Sequence, residues 1–111
     1  LFYSLIVNTF ENKLIQLMTN INKFKELYDM QSHKAEEVAL LFKDFLPHGY
    51  SQDVVNLANE KEIEVSSGVV RSVKAGLVKN IKVLTVLVEY AKEKKEAAKK
   101  EREQLNNLLS K

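Results

Sequence analysis

Reading the chain at alternating steps of four and three residues gives Tyr3, Val7, Phe10, Leu14, Leu17, Ile21, Phe24, Tyr28, Gln31, Ala35, Val38, Phe42 and Phe45, with Gln31 the one polar member. An apolar step averaging about 3.5 residues, held over about six heptads, is the signature of a coiled-coil seam or a long bundle helix. Leu5, Ile6, Ile15, Met18, Leu27 and Leu41 widen the stripe, and the charged and amide residues fall outside it. The pattern predicts a single amphipathic helix over about residues 2–46. At ~1.5 Å per residue that helix is a rod of about 65 Å, and the molecule is elongated unless the chain breaks near Asp29 to Ser32. The heptad keeps its register across that patch, which favours the unbroken rod. Gln31 then lies inside the seam, where a polar residue can set register or oligomer state.

Pro47, His48 and Gly49 end this helix, because proline disfavours helical geometry in the residue before it and glycine permits a reversal. With one Pro and three Gly in 111 residues, the rest of the chain also suits long helices. Ser51 reads as an N-cap, followed by Gln52 and Asp53 in a first turn that favours acceptors and negative charge. A helix over about 51–62 should weaken across residues 59–68, where Gly68 costs roughly 1 kcal/mol relative to Ala and Ser66 or Ser67 can cap a new start. Val70, Val73, Leu77, Ile81, Leu84, Val88 and Ala91 then restore the three-four spacing in a helix over about 66–110. Its end, from Lys92 to Arg102, reads KEKKEAAKKER, a strongly helix-forming and solvent-facing run.

Chemistry is sparse. The chain has no cysteine, so disulfides, thiolate metal sites and cysteine nucleophiles are excluded. His33 with Glu36 or Glu37 has the spacing of two ligands on one helix face, but a zinc site needs at least three, and His48 lies in the turn. No serine–histidine–acid set or paired-carboxylate pattern stands out, and Gly68 and Gly76 lack the spacing of a phosphate loop. No metal, cofactor or catalytic activity is therefore expected. The apolar start LFYSLIV is short and lacks a basic leader, so it does not read as a signal peptide. A net charge of +2 is too small to imply a polyanionic partner by itself.

Residues 50–76 carry the most specific pattern: Tyr50-Ser51-Gln52-Asp53-Val54-Val55, then Val65-Ser66-Ser67-Gly68-Val69-Val70-Arg71-Ser72-Val73-Lys74-Ala75-Gly76. This segment resembles the helix-turn-helix of phage-repressor-type regulators. In that family a Ser/Thr-Gln pair opens the first helix, a Val-Ser-x-x-x-Ile type run opens the recognition helix, and a glycine closes it. The resemblance implies that Val70 and Val73 are buried while Ser66, Ser67, Arg71 and Lys74 face DNA. Two features depart from the family: the connection from Gln52 to Val65 is about one helical turn longer, and no glycine marks the inter-helix turn. A kinked bundle helix capped by Ser-Ser-Gly is the plainer alternative. The lysine-rich tail, Lys92 to Arg102, is diluted by Glu93, Glu96 and Glu101, and two long basic helices resemble the membrane-curving BAR modules in length and amphipathicity alone.

The expectation is an all-α, elongated antiparallel hairpin or bundle with coiled-coil-like packing, broken in its second half near residues 59–68. Its interaction seam is Phe10, Leu14, Leu17, Ile21, Phe24, Gln31, Val38 and Phe42, packed against Val73, Leu77, Ile81, Leu84 and Val88. Both seams exceed what one partner helix covers, which implies a homo-oligomer or a protein partner. The leading functional expectation is a non-catalytic interaction or assembly module. The alternative is a DNA-binding regulator using residues 50–76, and an anionic membrane surface ranks third among partners.

Overall fold

A computed structural model describes the backbone of residues 2–110 and the side chains of residues 11–110. Five helices follow one another: α1 Phe2–Tyr28, α2 Ser32–Phe45, α3 Tyr50–Glu60, α4 Ser67–Lys74 and α5 Ile81–Leu109. They form a helical bundle, all-α as the patterning predicts. The single rod over residues 2–46 is not formed. The extents are 46 × 43 × 27 Å, and the 27 residues of α1 account for about 40 Å of helix.

Three of the breaks share one physical cause. Asp29, Glu62 and Gly76 all adopt left-handed backbone angles, with φ of 50°, 62° and 75°. Each sits just past a helix end, where the next amide reaches back across the last turn. Met30 N–H donates to the Lys25 carbonyl (3.1 Å), Ile63 to Ala58 (2.8 Å) and Leu77 to Ser72 (2.9 Å). At the last two ends the left-handed residue's own amide also donates, Glu62 to Asn59 (3.0 Å) and Gly76 to Val73 (3.1 Å). This Schellman pairing satisfies carbonyls that a helix end would otherwise leave open, and it turns the chain sharply. Met30 and Ile63 then drop against the core, completing the apolar contact typical of the motif. The predicted helix over 66–110 is cut by the third of these turns. The break expected near 59–68 is present, at residues 61–66.

The remaining end, at Pro47, agrees with the sequence reading. Leu46 is extended (φ −102°, ψ 102°), as the residue before a proline should be. The start of α3 differs: Tyr50 is already helical, Gly49 is the cap residue at φ 84°, and no side chain caps this end. Ser66 does cap α4, its Oγ accepting from the Val69 amide at 3.3 Å. Asn80 caps α5 in the same way through Val83 (3.2 Å).

Because α1 ends at Tyr28, α2 folds back beside it. Phe24 and Phe42 meet edge to face with ring centroids 5.7 Å apart, and both are buried. Around them gather Ala35, Ala39 and Leu41 of α2, Val54 of α3, Val70 and Val73 of α4, and Val83, Leu84, Val86, Leu87, Tyr90 and Ala91 of α5. Every helix thus contributes to one core. Of the predicted seam, Phe24 and Phe42 lie in that core, and Leu17, Ile21 and Val38 pack on its edge. Leu14 is 48% exposed, and Phe10 lies outside the residues whose side chains are described. Gln31 is not a seam residue. It is the exposed cap position of α2, in extended geometry within the reversal.

On the facing side Val73 and Leu84 are buried and Val88 packs on the core, but Leu77 and Ile81 are 65% and 60% exposed. The turn at Gly76 resets the helical phase, so residues on one stripe in sequence do not share a face. Beyond Ala91, α5 leaves the core as an arm, and the radius of gyration of 16.6 Å exceeds the ~13 Å of a compact chain this size.

The left-handed sites predict opposite responses to substitution. Gly76 has no room for a side chain, since an added Cβ would lie 2.9 Å from Lys23 Cβ. Gly76→Ala should therefore cost about 2 kcal/mol, combining the left-handed penalty with that overlap. Glu62→Gly removes only the penalty and should stabilise by about 0.5–1 kcal/mol. Urea unfolding tracked by circular dichroism measures both, and a shift of equal sign in the two variants would contradict the assignment.

Candidate nucleic-acid interface

Helices α3 and α4 stand together at one end of the bundle. Val54 and Ala58 of α3 and Val70 and Val73 of α4 are fully buried, and Val55, Leu57, Ile63 and Val65 pack at the margin. The link spans residues 61–66, longer than the ~3–4 residues usual in a helix-turn-helix. Its left-handed Glu62 occupies the position where a glycine is commonest.

With Val70 and Val73 turned inward, a period of ~3.6 residues puts Gly68, Arg71, Ser72 and Ala75 on the outward face of α4. Gly68 and Arg71 are exposed, and Ser67, Ser72 and Lys74 are partly exposed at its sides. Three of those outward residues are small, so another surface can approach the helix backbone closely. Of the four residues expected to face DNA, Arg71 and Ser67 lie on or beside this face, whereas Lys74 is partly exposed towards the side of Leu17, Ala39 and Tyr50. Ser66 is exposed but is engaged as the α4 cap.

Arg71 also reaches the start of α3. Its charge is felt by Tyr50, whose phenol is pushed up by burial and partly pulled back by the guanidinium. Arg71 shares a shallow depression with Leu46, Pro47, His48, Gly49, Tyr50 and Ser51. No side chain caps α3 there; the Tyr50 amide donates to the Pro47 carbonyl (3.1 Å), and the positive end of the helix dipole lies on the same side as the guanidinium.

The placement of α4 is held by partners distant in sequence. Tyr28, at the end of α1, donates its hydroxyl to the Val78 carbonyl (3.3 Å) and accepts from the Asn80 amide (3.0 Å). That clamps the turn between α4 and α5. Tyr90 of α5 donates its hydroxyl to Asp53 Oδ2 at 2.6 Å, tying α5 to the first turn of α3. Lys94 lies 5.3 Å from the centroid of the Tyr90 ring, on the same helix. Lys61 pairs with Glu89 across the outside of α3 and α5.

Lys79 and Lys82, at the turn into α5, are exposed cations that the motif-based reading does not include. A charge signal exists for them. From Val65 to Val88 the chain carries Arg71, Lys74, Lys79 and Lys82 and neither Asp nor Glu. The overall charge of +2 conceals this run because acids cluster elsewhere. His33 and His48 are both exposed, and among the described residues no three metal-ligating side chains converge. No described helix is long and apolar enough to cross a membrane.

No protein-family model matches the chain, and neither a curated protein nor a solved structure matches it.

The Tyr90–Asp53 bond has a pH signature. Burial, then the hydrogen bond to Asp53 and its negative charge, push the Tyr90 phenol up from 10.0 to about 12. The folded state therefore holds this proton more tightly than the unfolded chain does. The associated stability is complete below pH 10 and is lost as pH rises towards 12. Tyr90→Phe should cost about 1 kcal/mol near neutrality and flatten the alkaline limb of stability. Thermal melts across that pH range, with tyrosinate absorbance recorded in parallel, measure both. An unchanged alkaline limb in Tyr90→Phe would contradict the role of this bond.

Proposed function

We propose that the chain binds duplex DNA through α3 and α4, with α4 as the element that enters the groove. The observation that carries this reading is the acid-free run from Val65 to Val88, whose cations Arg71, Lys74, Lys79 and Lys82 lie on α4, the turn after it and the first turn of α5. Such a concentration of one sign attracts a polyanion even when the whole molecule is nearly neutral. The uncapped α3 start beside Arg71 suits a backbone phosphate. Ser67 and Ser72, with Gly68 and Ala75, suit the close approach of a helix to base edges. The chemistry is positioning rather than catalysis, since nothing in this region pairs a nucleophile with a base.

A second reading concerns assembly. Leu14, Ile15 and Met18 on α1 and Leu105, Leu108 and Leu109 on the α5 arm are exposed large apolar residues outside the bundle. Such residues on protruding helices support self-association, and a DNA reader of this kind gains half-site pairing from a dimer. Both readings are non-catalytic.

Fluorescence anisotropy with random duplex DNA at low and moderate salt tests the first. Salt-sensitive binding is expected, with Arg71→Ala and Lys74→Ala each weakening it and lowering the salt slope by about one. Lys99→Ala, on the α5 arm, should leave it unchanged. Absence of binding at low salt removes the proposal. Light scattering coupled to size exclusion tests the second: a dimer is expected at micromolar concentration, shifted towards monomer by joint Leu105→Ser and Leu108→Ser substitution. A stable monomer at that concentration would remove it.

A further inference from the structure

Three exposed aliphatic residues sit together at the turn from α4 into α5: Leu77 is 65%, Val78 44% and Ile81 60% exposed. Leu77 departs from its counterparts at the other left-handed helix ends. It occupies the position that Met30 and Ile63 hold after Asp29 and Glu62, with the same amide bond reaching back across the last turn. Met30 and Ile63 pack against the core, as is frequent in this motif, and Leu77 does not. Nor is the turn loosely held. Tyr28 bonds to the Val78 carbonyl and the Asn80 amide, Asn80 caps α5, and Gly76 lies against Lys23. The backbone is fixed with these aliphatic side chains outward.

The charge among them has one sign. Lys79 lies between Val78 and Ile81, Lys82 follows Ile81, and both are exposed. No Asp or Glu occurs from Val65 to Val88, and the first acid of α5, Glu89, is paired with Lys61. Cationic and aliphatic side chains therefore interleave over residues 77–82, and a partner has to take both. Duplex DNA would satisfy the lysines and leave Leu77 and Ile81 without an apolar counterpart. A second copy meeting this patch about a two-fold axis would bring like lysines together. Protein interfaces draw their binding energy from Trp, Tyr and Arg and are depleted in Lys, the reverse of this composition. An anionic bilayer meets both demands. Aliphatic side chains enter the boundary between headgroups and acyl chains, while lysine stems lie along it and keep their ammonium groups among the phosphates.

We propose that the α4–α5 turn is a peripheral membrane contact, with Leu77, Val78 and Ile81 entering the interface of an anionic bilayer and Lys79 and Lys82 holding its headgroups. The contact does not rest on the DNA reading. Lys79 and Lys82 would serve both surfaces, so the two partners exclude each other.

Sedimentation of the full chain with phosphatidylcholine vesicles, with and without about a third phosphatidylserine, tests the contact in the absence of DNA. Binding is expected to the anionic vesicles alone, about fivefold weaker in Lys79→Gln and in Lys82→Gln. Joint Leu77→Ser and Ile81→Ser substitution should weaken it about tenfold or more. Lys99→Gln, on the α5 arm, should leave it unchanged. All of these positions are exposed, and circular dichroism checks that each variant keeps its fold. Leu77→Trp gives the chain its sole tryptophan, whose emission should move to the blue on anionic vesicles. The proposal is overturned if the chain does not sediment with anionic vesicles, if neutral vesicles bind it equally, if the joint serine variant binds as the parent does, or if the tryptophan emission does not move. Self-association lost in the joint serine variant while vesicle binding persists would assign the patch to a second copy and overturn it as well.

Discussion

When Asp29 takes a left-handed angle, the Met30 amide closes onto the Lys25 carbonyl and α1 can no longer run on into α2. Holding a non-glycine residue there costs ~1–2 kcal/mol. In exchange the chain reverses and brings Phe24 against Phe42, and burying such a side chain is worth about 1.5–3 kcal/mol. Two rings therefore more than offset one strained residue. A straight helix over 2–46 would avoid the strain and leave this core unformed, because α2 could not reach both α1 and α5.

The same reversal fixes the turn between α4 and α5. It leaves Tyr28 at the tip of α1, where its hydroxyl meets both Val78 and Asn80. Gly76 lies against Lys23 one turn earlier, so closely that only a glycine fits. Helix α4 is consequently held from both sides. Val70 and Val73 anchor it inward, and α1 fixes the turn that ends it. A helix of only 8 residues has little stability of its own, and its fixed orientation is a property of these contacts.

The legibility of this fold in the sequence has the same geometric origin. Helix content, the stop at Pro47 and the weak link near residues 59–68 are readable because proline, serine and glycine act locally on the backbone. The reversal at Asp29 is harder to see because the heptad continues across it: Phe24, Ala35 and Phe42 fit one straight seam and also meet when the helix folds in two. Asp29 and Glu62 take a position where glycine is the usual signal, so composition does not mark them. Leu77 and Ile81 continue a stripe that exists only in sequence, since the turn at Gly76 rotates α5 away from the phase of α4. Arg71 and Lys74 are singled out by motif spacing. Lys79 and Lys82 need the distribution of charge, which a whole-chain sum of +2 conceals.

That distribution bears on why the two halves of the molecule differ. Asp53 accepts from Tyr90 and Glu89 pairs with Lys61, so both of these acids are occupied by α3–α5 contacts. The cations of α4 and the turn after it have no such partners nearby in sequence. The α3–α5 side of the bundle is thus closed in part by charged contacts, while the run from Val65 to Val88 carries cations and no acid. The short helix α4 places Val70 and Val73 in the core and turns its small residues outward.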